Sequence, residues 1–351
     1  MTPSSILVTG GAGFIGCHTV IALAEAGYRP VIFDNFSNSQ PKVLEGLRQI
    51  LGFEVPCYRA DCTNRAALLE AMRRERVSGV IHFAAFKAVG ESVQKPLLYY
   101  SNNLNALLTL LEAMIELDVR DLIFSSSCTV YGQPEQLPVT ENSPILPPLS
   151  PYGNTKQIGE EILRDVARAG EALRIISLRY FNPIGAHSSG MIGELPLGVP
   201  NNLVPYITQT AIGLRAELVV FGNDYPTPDG TCIRDYIHVM DLAEAHVAAL
   251  RHLEYASIPA AYYDVFNIGT GKGASVLEVI RTFEQATGKI VPYRIGPRRL
   301  GDAAAVYADA SKAHKHLGWK AHRTLKEALA DAWRWQLYLH KTAHLLSASN
   351  S

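Results

Sequence analysis

Ser5-Ile6-Leu7-Val8-Thr9-Gly10-Gly11-Ala12-Gly13-Phe14-Ile15-Gly16 reads as a short apolar strand running straight into a glycine turn. An apolar helix, His18 to Ala26, follows and is stopped by Gly27; a second strand, Pro30 to Phe33, ends in Asp34. Strand, glycine turn, helix, strand and acid in that order describe a dinucleotide-binding βαβ unit. Gly10, Gly13 and Gly16 satisfy Gly-x-x-Gly-x-x-Gly, and Gly11 to Gly16 also satisfies Gly-x-Gly-x-x-Gly. Glycines let the backbone approach a pyrophosphate, which the free N–H groups and dipole of a helix N-terminus attract. Phe14 and Ile15 belong to the same turn and are read as cofactor contacts with it. Asp34 is placed to accept the adenosine ribose hydroxyls and to repel a 2′-phosphate, which selects NAD over NADP.

The alternation continues. Glu54 to Ala60 is a third strand leading to Asp61-Cys62, Ala66 to Arg74 a helix, and Gly79 to Phe83 a fourth strand ending at Ala84-Ala85. A helix spans about Pro96 to Leu117, with Asn102 interrupting its apolar pattern, and the strand Asp121 to Phe124 leads into Ser125-Ser126-Ser127-Cys128. Repeated β–α alternation implies a parallel, doubly wound α/β sheet, and ligands gather at the carboxyl ends of its strands. Asp61 and Cys62 then lie near the adenine, and Ala84, Ala85 and Lys87 along the phosphates and nicotinamide ribose. Further on, Ser150-Pro151 has the chemistry of a helix start, an N-cap followed by proline at the first position. Tyr152 and Lys156 fall on one face of that helix, where an ammonium beside a phenol lowers its pKa and makes a base.

Of 351 residues, 48% are apolar and 19% charged, which suits a compact protein with a large core and room for two domains. The net charge of −1 argues against a general nucleic-acid or anionic-membrane binder. There is no transmembrane run, and the few residues before Ser5 leave no space for a signal peptide. Five cysteines without ligand-like spacing point to a reducing, cytoplasmic setting. His238, Asp241 and His246 do not match a metal-ligand pattern, so no metal is expected.

After Arg179 the rhythm changes. Asn182 to Asn202 is rich in Gly, Pro, Ser and Asn and shows no clear strand; a loop that long is usually functional. Helices at Leu203–Leu214, Asp241–Leu253, Val276–Ala286 and Leu325–Leu339 and strands at Leu218–Phe221 and Tyr263–Ile268 follow.

The glycine-rich βαβ, a serine after a later strand and Tyr-x-x-x-Lys 25 residues beyond it resemble the extended short-chain dehydrogenase/reductase superfamily. Gly90-Glu91-Ser92-Val93-Gln94-Lys95-Pro96, Arg179-Tyr180-Phe181-Asn182-Pro183, Asn201-Asn202-Leu203, Phe221-Gly222-Asn223-Asp224-Tyr225-Pro226-Thr227 and Arg234-Asp235-Tyr236-Ile237-His238 narrow the likeness to the UDP-glucose 4-epimerase family. It spans about residues 5 to 340. The resemblance implies a Rossmann NAD-binding domain at 1–180 and a smaller UDP-sugar domain at 181–351, with some segments returning to the large sheet. It implies a homodimer built on the helices near 96–117 and 151–168.

Carried over by position, the resemblance makes Tyr152 the catalytic base, Lys156 its partner and nicotinamide-ribose ligand, and Ser127 the residue that bonds the sugar 4-hydroxyl. Asn35, Asn38 and Ser39 become adenosine contacts; Phe83, Lys87, Asn102, Ser125 and Tyr180 match cofactor-side positions. Arg234 and Arg299 become pyrophosphate ligands, Phe221 the uracil contact and Asp302 the ribose contact. Lys87, Phe181, Asn182, Asn202, Leu203, Leu218, Val219, Tyr236 and Val276 fall at further substrate positions.

Three departures bear on specificity. Val306 stands where some relatives carry tyrosine against the sugar, leaving room for N-acetylhexosamines. Cys128 replaces a common alanine, and Leu300 a frequent glutamate. A 4,6-dehydratase usually carries an Asp-Glu pair where this chain has Cys128-Thr129, which argues against that chemistry. A non-catalytic binder has little need for Ser127, Tyr152 and Lys156 together.

Overall fold

The computed structural model of the chain describes residues 3–299 and 302–348; Leu300 lies outside them. Strands β1 (Ser5–Thr9), β2 (Arg29–Phe33), β3 (Cys57–Tyr58), β4 (Val77–His82), β5 (Asp121–Ser127) and β6 (Arg174–Tyr180) alternate with helices α1 (Phe14–Glu25), α2 (Lys42–Leu51), α3 (Arg65–Glu75), α4 (Val89–Gln94), α5 (Pro96–Glu116) and α6 (Pro151–Arg168). Beyond them come β7 (Asn182–Ile184), α7 (Leu203–Ala211), β8 (Leu218–Phe221), β9 (Ile233–His238), α8 (Val239–Tyr255), β10 (Tyr262–Ile268), β11 (Gly273–Ser275), α9 (Val276–Thr287), β12 (Tyr293–Gly296), β13 (Ala305–Val306), α10 (Ser311–Leu317) and α11 (Leu325–Ala348).

The large sheet has seven parallel strands in the order β10-β6-β5-β4-β1-β2-β3. Its strands are apolar on both faces because helices cover both. Val8, Ile32, Ile81 and Ile123 face one layer with α1 and α8; Leu7, Val31, Val80 and Leu122 face the other with α3, α5 and α6. The chain moves outward from β1 to β3 and then returns to β4 on the other side of β1, so the crevice of a doubly wound sheet opens between β1 and β4. β10 and α8 come from the second half of the chain and complete this layer: β10 pairs with β6 along seven residues, and α8 packs on α1.

A smaller body gathers β7, β9, β11 and β13 in one sheet and β8 with β12 in another. Its core holds Ile184, Val204, Ile207, Val220, Ile280, Phe283 and Trp333, drawn from β7, β8, α7, α9 and α11.

Several boundaries differ from the sequence reading. The third strand is only Cys57–Tyr58, since β2 offers it just two rungs. β5 runs on through the serines because β6 pairs with each of them, up to Ser127 with Tyr180; register overrides the weak strand preference of serine. The loop after Arg179 contains a short strand, β7, recruited by β9. α1 begins at Phe14, inside the glycine turn; α2, absent from the sequence reading, carries Val43, Leu44, Leu47, Ile50 and Leu51 at helical spacing, while α4 and α10 are only six and seven residues long.

Candidate active site

Parallel pairing brings the ends of β1, β2, β4 and β5 to one edge: Thr9 lies level with Phe33 and His82, and His82 with Phe124. The glycines form the cradle there. Gly10 has φ +68°, and a Cβ on it would stand 2.9 Å from the Ala84 nitrogen. A Cβ on Gly16 would stand 2.3 Å from the Gly10 oxygen, so this glycine lets the turn close on the start of α1. On Gly13 a Cβ would meet only the Gly10 oxygen, at 3.2 Å, leaving its outer side free. Gly13 caps α1 without a side chain, and no acid occupies the first turn, so the amides and dipole of α1 remain directed at an anion. At the end of β2 the Asp34 carboxylate is aimed by three donors: the Ala12 N–H at 3.0 Å, the Phe36 N–H at 2.8 Å and the Ser39 hydroxyl at 2.9 Å. The Asn35 amide donates to Asp61 at 2.7 Å, linking the ends of β2 and β3. Asn38 is exposed, and the Cys62 thiol is buried in the core beside that edge. A cradle with one free glycine face, a bare helix N-terminus and an oriented acid fits an adenine dinucleotide.

On the nicotinamide side, Ser150 caps α6 by accepting the Gly153 N–H at 3.1 Å, with Pro151 at the first position. Tyr152 and Lys156 lie one turn apart. The lysine ammonium is 5.9 Å from the Tyr152 ring centre and 5.0 Å from that of Phe124, and it donates to the Ser125 carbonyl at 2.6 Å. Burial pushes the Tyr152 phenol up to about 12, opposed by its hydrogen bond with Ser127. Burial likewise pulls Lys156 down to about 8, opposed by the charge of Glu160. Burial is the largest influence on the phenol, and the lysine, one turn away, makes its close bond to the Ser125 carbonyl. The Ser127 oxygen also accepts the Thr129 N–H at 3.2 Å. The Tyr180 hydroxyl donates to the Ser125 hydroxyl. Phe83 and Tyr180 both lie against the His246 ring, at 4.7 and 5.7 Å. Ala85 is partly buried in the loop after β4.

The remaining candidates line the smaller body. Arg299 holds Asp302 with two hydrogen bonds, at 3.1 and 2.8 Å, and its guanidinium lies 5.8 Å over the exposed Phe221 ring. Arg234 donates to the Ala303 carbonyl at 2.7 Å and stands 3.6 Å from Asp302. Two arginines, an acid and an exposed aromatic ring supply what a nucleoside diphosphate needs. Val219 and Phe221 point outward together. Leu218 does not: strand alternation turns it into the core at 4% exposure, which removes its side chain from the substrate contacts. Tyr236 is also largely enclosed in that core, and Val276 opens α9 beside it. Phe181 and Val306 pack together with Val130 and Tyr131, with Cys128 against them. Asn182 begins β7, and Asn202 stands at the N-cap position of α7, just before Leu203, without a side-chain capping bond.

Three polar residues escaped the sequence reading. Asn103, rather than its neighbour Asn102, is the buried amide of α5; it bonds the Phe86 backbone at both N–H and carbonyl and the Thr155 hydroxyl, and it accepts from Asn102 at 3.0 Å. Glu194 accepts from Asn202 at 2.5 Å and faces Lys87 at 3.7 Å. Glu160 lies one turn past Lys156. An asparagine pair within an apolar helix is a usable signal for the first; Glu194 and Glu160 are picked out by partners from other elements. As for metals, ligand atoms of Asp241, Glu244 and His322 lie within 4.8 Å of one another, but the Arg323 guanidinium bonds both carboxylates, so the cluster is an ion network. No helix among the described residues is long and apolar enough to cross a membrane.

Residues 6–269 match the model of the NAD dependent epimerase/dehydratase family. The chain is 52% identical over 94% of its length to UDP-glucose 4-epimerase 2 of Arabidopsis thaliana, of which it covers 94%. Its structure is similar to that of the UDP-glucose 4-epimerase of Stenotrophomonas maltophila with bound NAD and formylated UDP-arabinopyranose, with TM-score 0.93, 47% identity and coverage of 97% and 99% of the two chains. The UDP-glucose 4-epimerase of Bifidobacterium longum in complex with NAD+ and UDP gives TM-score 0.91 and 50% identity, over 95% of this chain and 98% of that one. The chain belongs to the NAD dependent epimerase/dehydratase family and, within it, to the UDP-glucose 4-epimerases.

Proposed function

We propose that the protein is an isomerase that interconverts UDP-glucose and UDP-galactose through a 4-keto sugar, using tightly held NAD, and that it also accepts UDP-GlcNAc and UDP-GalNAc. The observation that carries this is the meeting, at one sheet edge, of Ser127, Tyr152 and Lys156 with the Gly10–Gly16 cradle and Asp34. Tyr152 takes the proton of the sugar 4-hydroxyl, Ser127 holds that oxygen, and Lys156 supplies the local positive charge. When bound, NAD would supply the acceptor and donor for the C4 hydride. Arg234, Arg299, Asp302 and Phe221 grip UDP while the hexose turns between Ser127 and Val306. Gripping the nucleotide and leaving the sugar loose is what epimerisation requires.

The division of labour follows the chain: residues 1–180 hold NAD and residues 181–351 hold the UDP-sugar, with β10 and α8 returning to the large sheet. Homodimerisation through α5 and α6 is supported by the exposed Leu97, Leu108 and Ile115 on α5. A cytoplasmic location suits five cysteines without a disulfide. Purified protein given UDP-galactose and no added NAD should form UDP-glucose. A Tyr152→Phe variant with near-normal turnover would refute the assignment, and sedimentation tests the dimer.

A further inference from the structure

Tyr152, Lys156 and Glu160 stand at successive i+4 steps along α6, one stripe that faces β5. The first two act in the reaction proposed above; the third has had no part in it. Yet Glu160 is a carboxylate only 3% exposed, and an ion is costly to bury unless paired and hydrogen-bonded. Its pairing is elaborate. Arg179 of β6 donates from Nε to Oε1 at 2.8 Å and from Nη2 to Oε2, and the Ser126 hydroxyl donates to Oε1 at 2.5 Å. Arg179, 2% exposed, also donates to the Tyr131 hydroxyl at 3.0 Å, which donates to Asn267 at 2.6 Å. Such a network adds little stability over a leucine in the same space, so its placement needs another reason. The three serines of β5 alternate: Ser125 and Ser127 serve the reaction side, and Ser126 between them serves Glu160.

We propose that Glu160 is a positioning residue for the reaction: its fixed negative charge, one turn beyond Lys156 on the same face, holds that lysine as the ammonium and keeps it aimed between the Ser125 carbonyl and Tyr152. The inference rests on the epimerase reading of Tyr152 and Lys156. The charge balance agrees with it, since burial pulls the lysine down and Glu160 opposes that pull. The other groups facing the lysine do not replace it. Phe124 and the Ser125 carbonyl face it from β5, and Tyr180 reaches Ser125 from β6. From β4, His82 is driven to about 3 by burial and by the lysine's own charge, so it is neutral. Around Glu160 stand Arg179, Ser126 and, from β10, Tyr263, whose phenol is pushed up by burial and by the Glu160 charge.

The test uses NAD-loaded enzyme and Glu160→Gln, which keeps the shape and removes the charge. In the kcat–pH profile, the limb that reports Lys156 should move down by about one unit, so that activity above it falls roughly tenfold while the KM for UDP-galactose holds. The Tyr152 phenolate absorbance, isolated by subtracting the matching Tyr152→Phe spectrum, should appear at higher pH. Glu160→Gln/Arg179→Gln removes both buried charges and should show the same two shifts should the single variant not fold. A profile and titration that superimpose on the parent's, with only a lowered Tm, overturn the inference and leave a structural ion pair. Failure of the parent enzyme to turn over UDP-galactose overturns the epimerase reading instead.

Discussion

The carboxylate of Glu194 stands 3.7 Å from the ammonium of Lys87, joining the loop that enters the smaller body to the loop that follows β4. The same carboxylate accepts from Asn202, and the Glu194 carbonyl accepts from the Trp335 indole at 2.9 Å. Glu194 therefore ties two proposed ligands, Lys87 and Asn202, to α11. The lysine is about half exposed, so the ion pair itself contributes little to stability. Glu194→Ala should leave Tm within about 1 °C while raising the KM for UDP-sugars roughly three- to tenfold, because Asn202 and Lys87 lose their common anchor. Steady-state kinetics decide it; an unchanged KM refutes the link.

Tyr152 offers the sharpest separation of chemistry from folding. Its phenol interacts with Ser127, while its ring is carried by α6, so Tyr152→Phe should fold normally and lose about 10²- to 10⁴-fold in kcat. Ser127→Ala should lose less, since the phenol remains. Equal losses in the two variants would contradict separate roles for proton acceptor and oxygen holder.

What could be read in the sequence is what depends on neighbours along the chain. The glycine turn, the Ser150 cap and the Tyr152–Lys156 spacing are local, and each is in place. The parallel, doubly wound sheet also follows from β–α alternation; its strand order and the return of β10 from the second half do not. Residues whose meaning lies in distant partners stayed hidden. Glu160 is an ordinary helix residue until Arg179, 19 positions away, closes on it. Asn103 becomes distinct from Asn102 only when α6 and the loop at Phe86 reach it. Leu218 turns its side chain into the core, a difference from Val219 and Phe221 that strand alternation makes legible. The height of the Tyr152 pKa was not legible either, because desolvation depends on everything packed around the ring.

Val306 is the residue on which substrate size should turn. It is enclosed with Phe181 and Tyr131, so a larger side chain must either displace them or enter the sugar space. Val306→Tyr should cut turnover of UDP-GlcNAc at least tenfold more than that of UDP-glucose. Parallel assays of the two substrates check this, and equal losses would place the size limit elsewhere.

Acid should destabilise the fold through three histidines. His18, His82 and His246 are wholly buried, and burial lowers them from 6.5 to about 3, 3 and 4. Between those values and about pH 6.5 the unfolded chain binds protons at these sites and the folded chain does not, so stability rises with pH across that window. Going the other way, the contribution of each is intact above about 6.5, and each loses at most about 2 kcal/mol by pH 5. Urea unfolding at a series of pH values measures the slope. A flat stability between pH 5 and 7 would show that these imidazoles are accommodated as cations.

Gly13 and Gly16 lie in one turn but should fail differently. A methyl at Gly16 runs into the backbone of Gly10, at 2.3 Å, and of Gly11, at 2.8 Å, and neither can move without opening the turn. Gly16→Ala should therefore destabilise the fold by about 1–3 kcal/mol and lose NAD with it. A methyl at Gly13 meets only the Gly10 oxygen at 3.2 Å, which a small shift relieves. Its free side is the surface that a pyrophosphate must approach at the N-terminus of α1. Gly13→Ala should keep the thermal midpoint of the NAD-free protein and still purify with NAD content reduced at least tenfold. Absorbance of extracted NAD and calorimetry of the stripped protein separate the two. Retention of full NAD content by Gly13→Ala would mean that the cofactor phosphates do not rest on this turn.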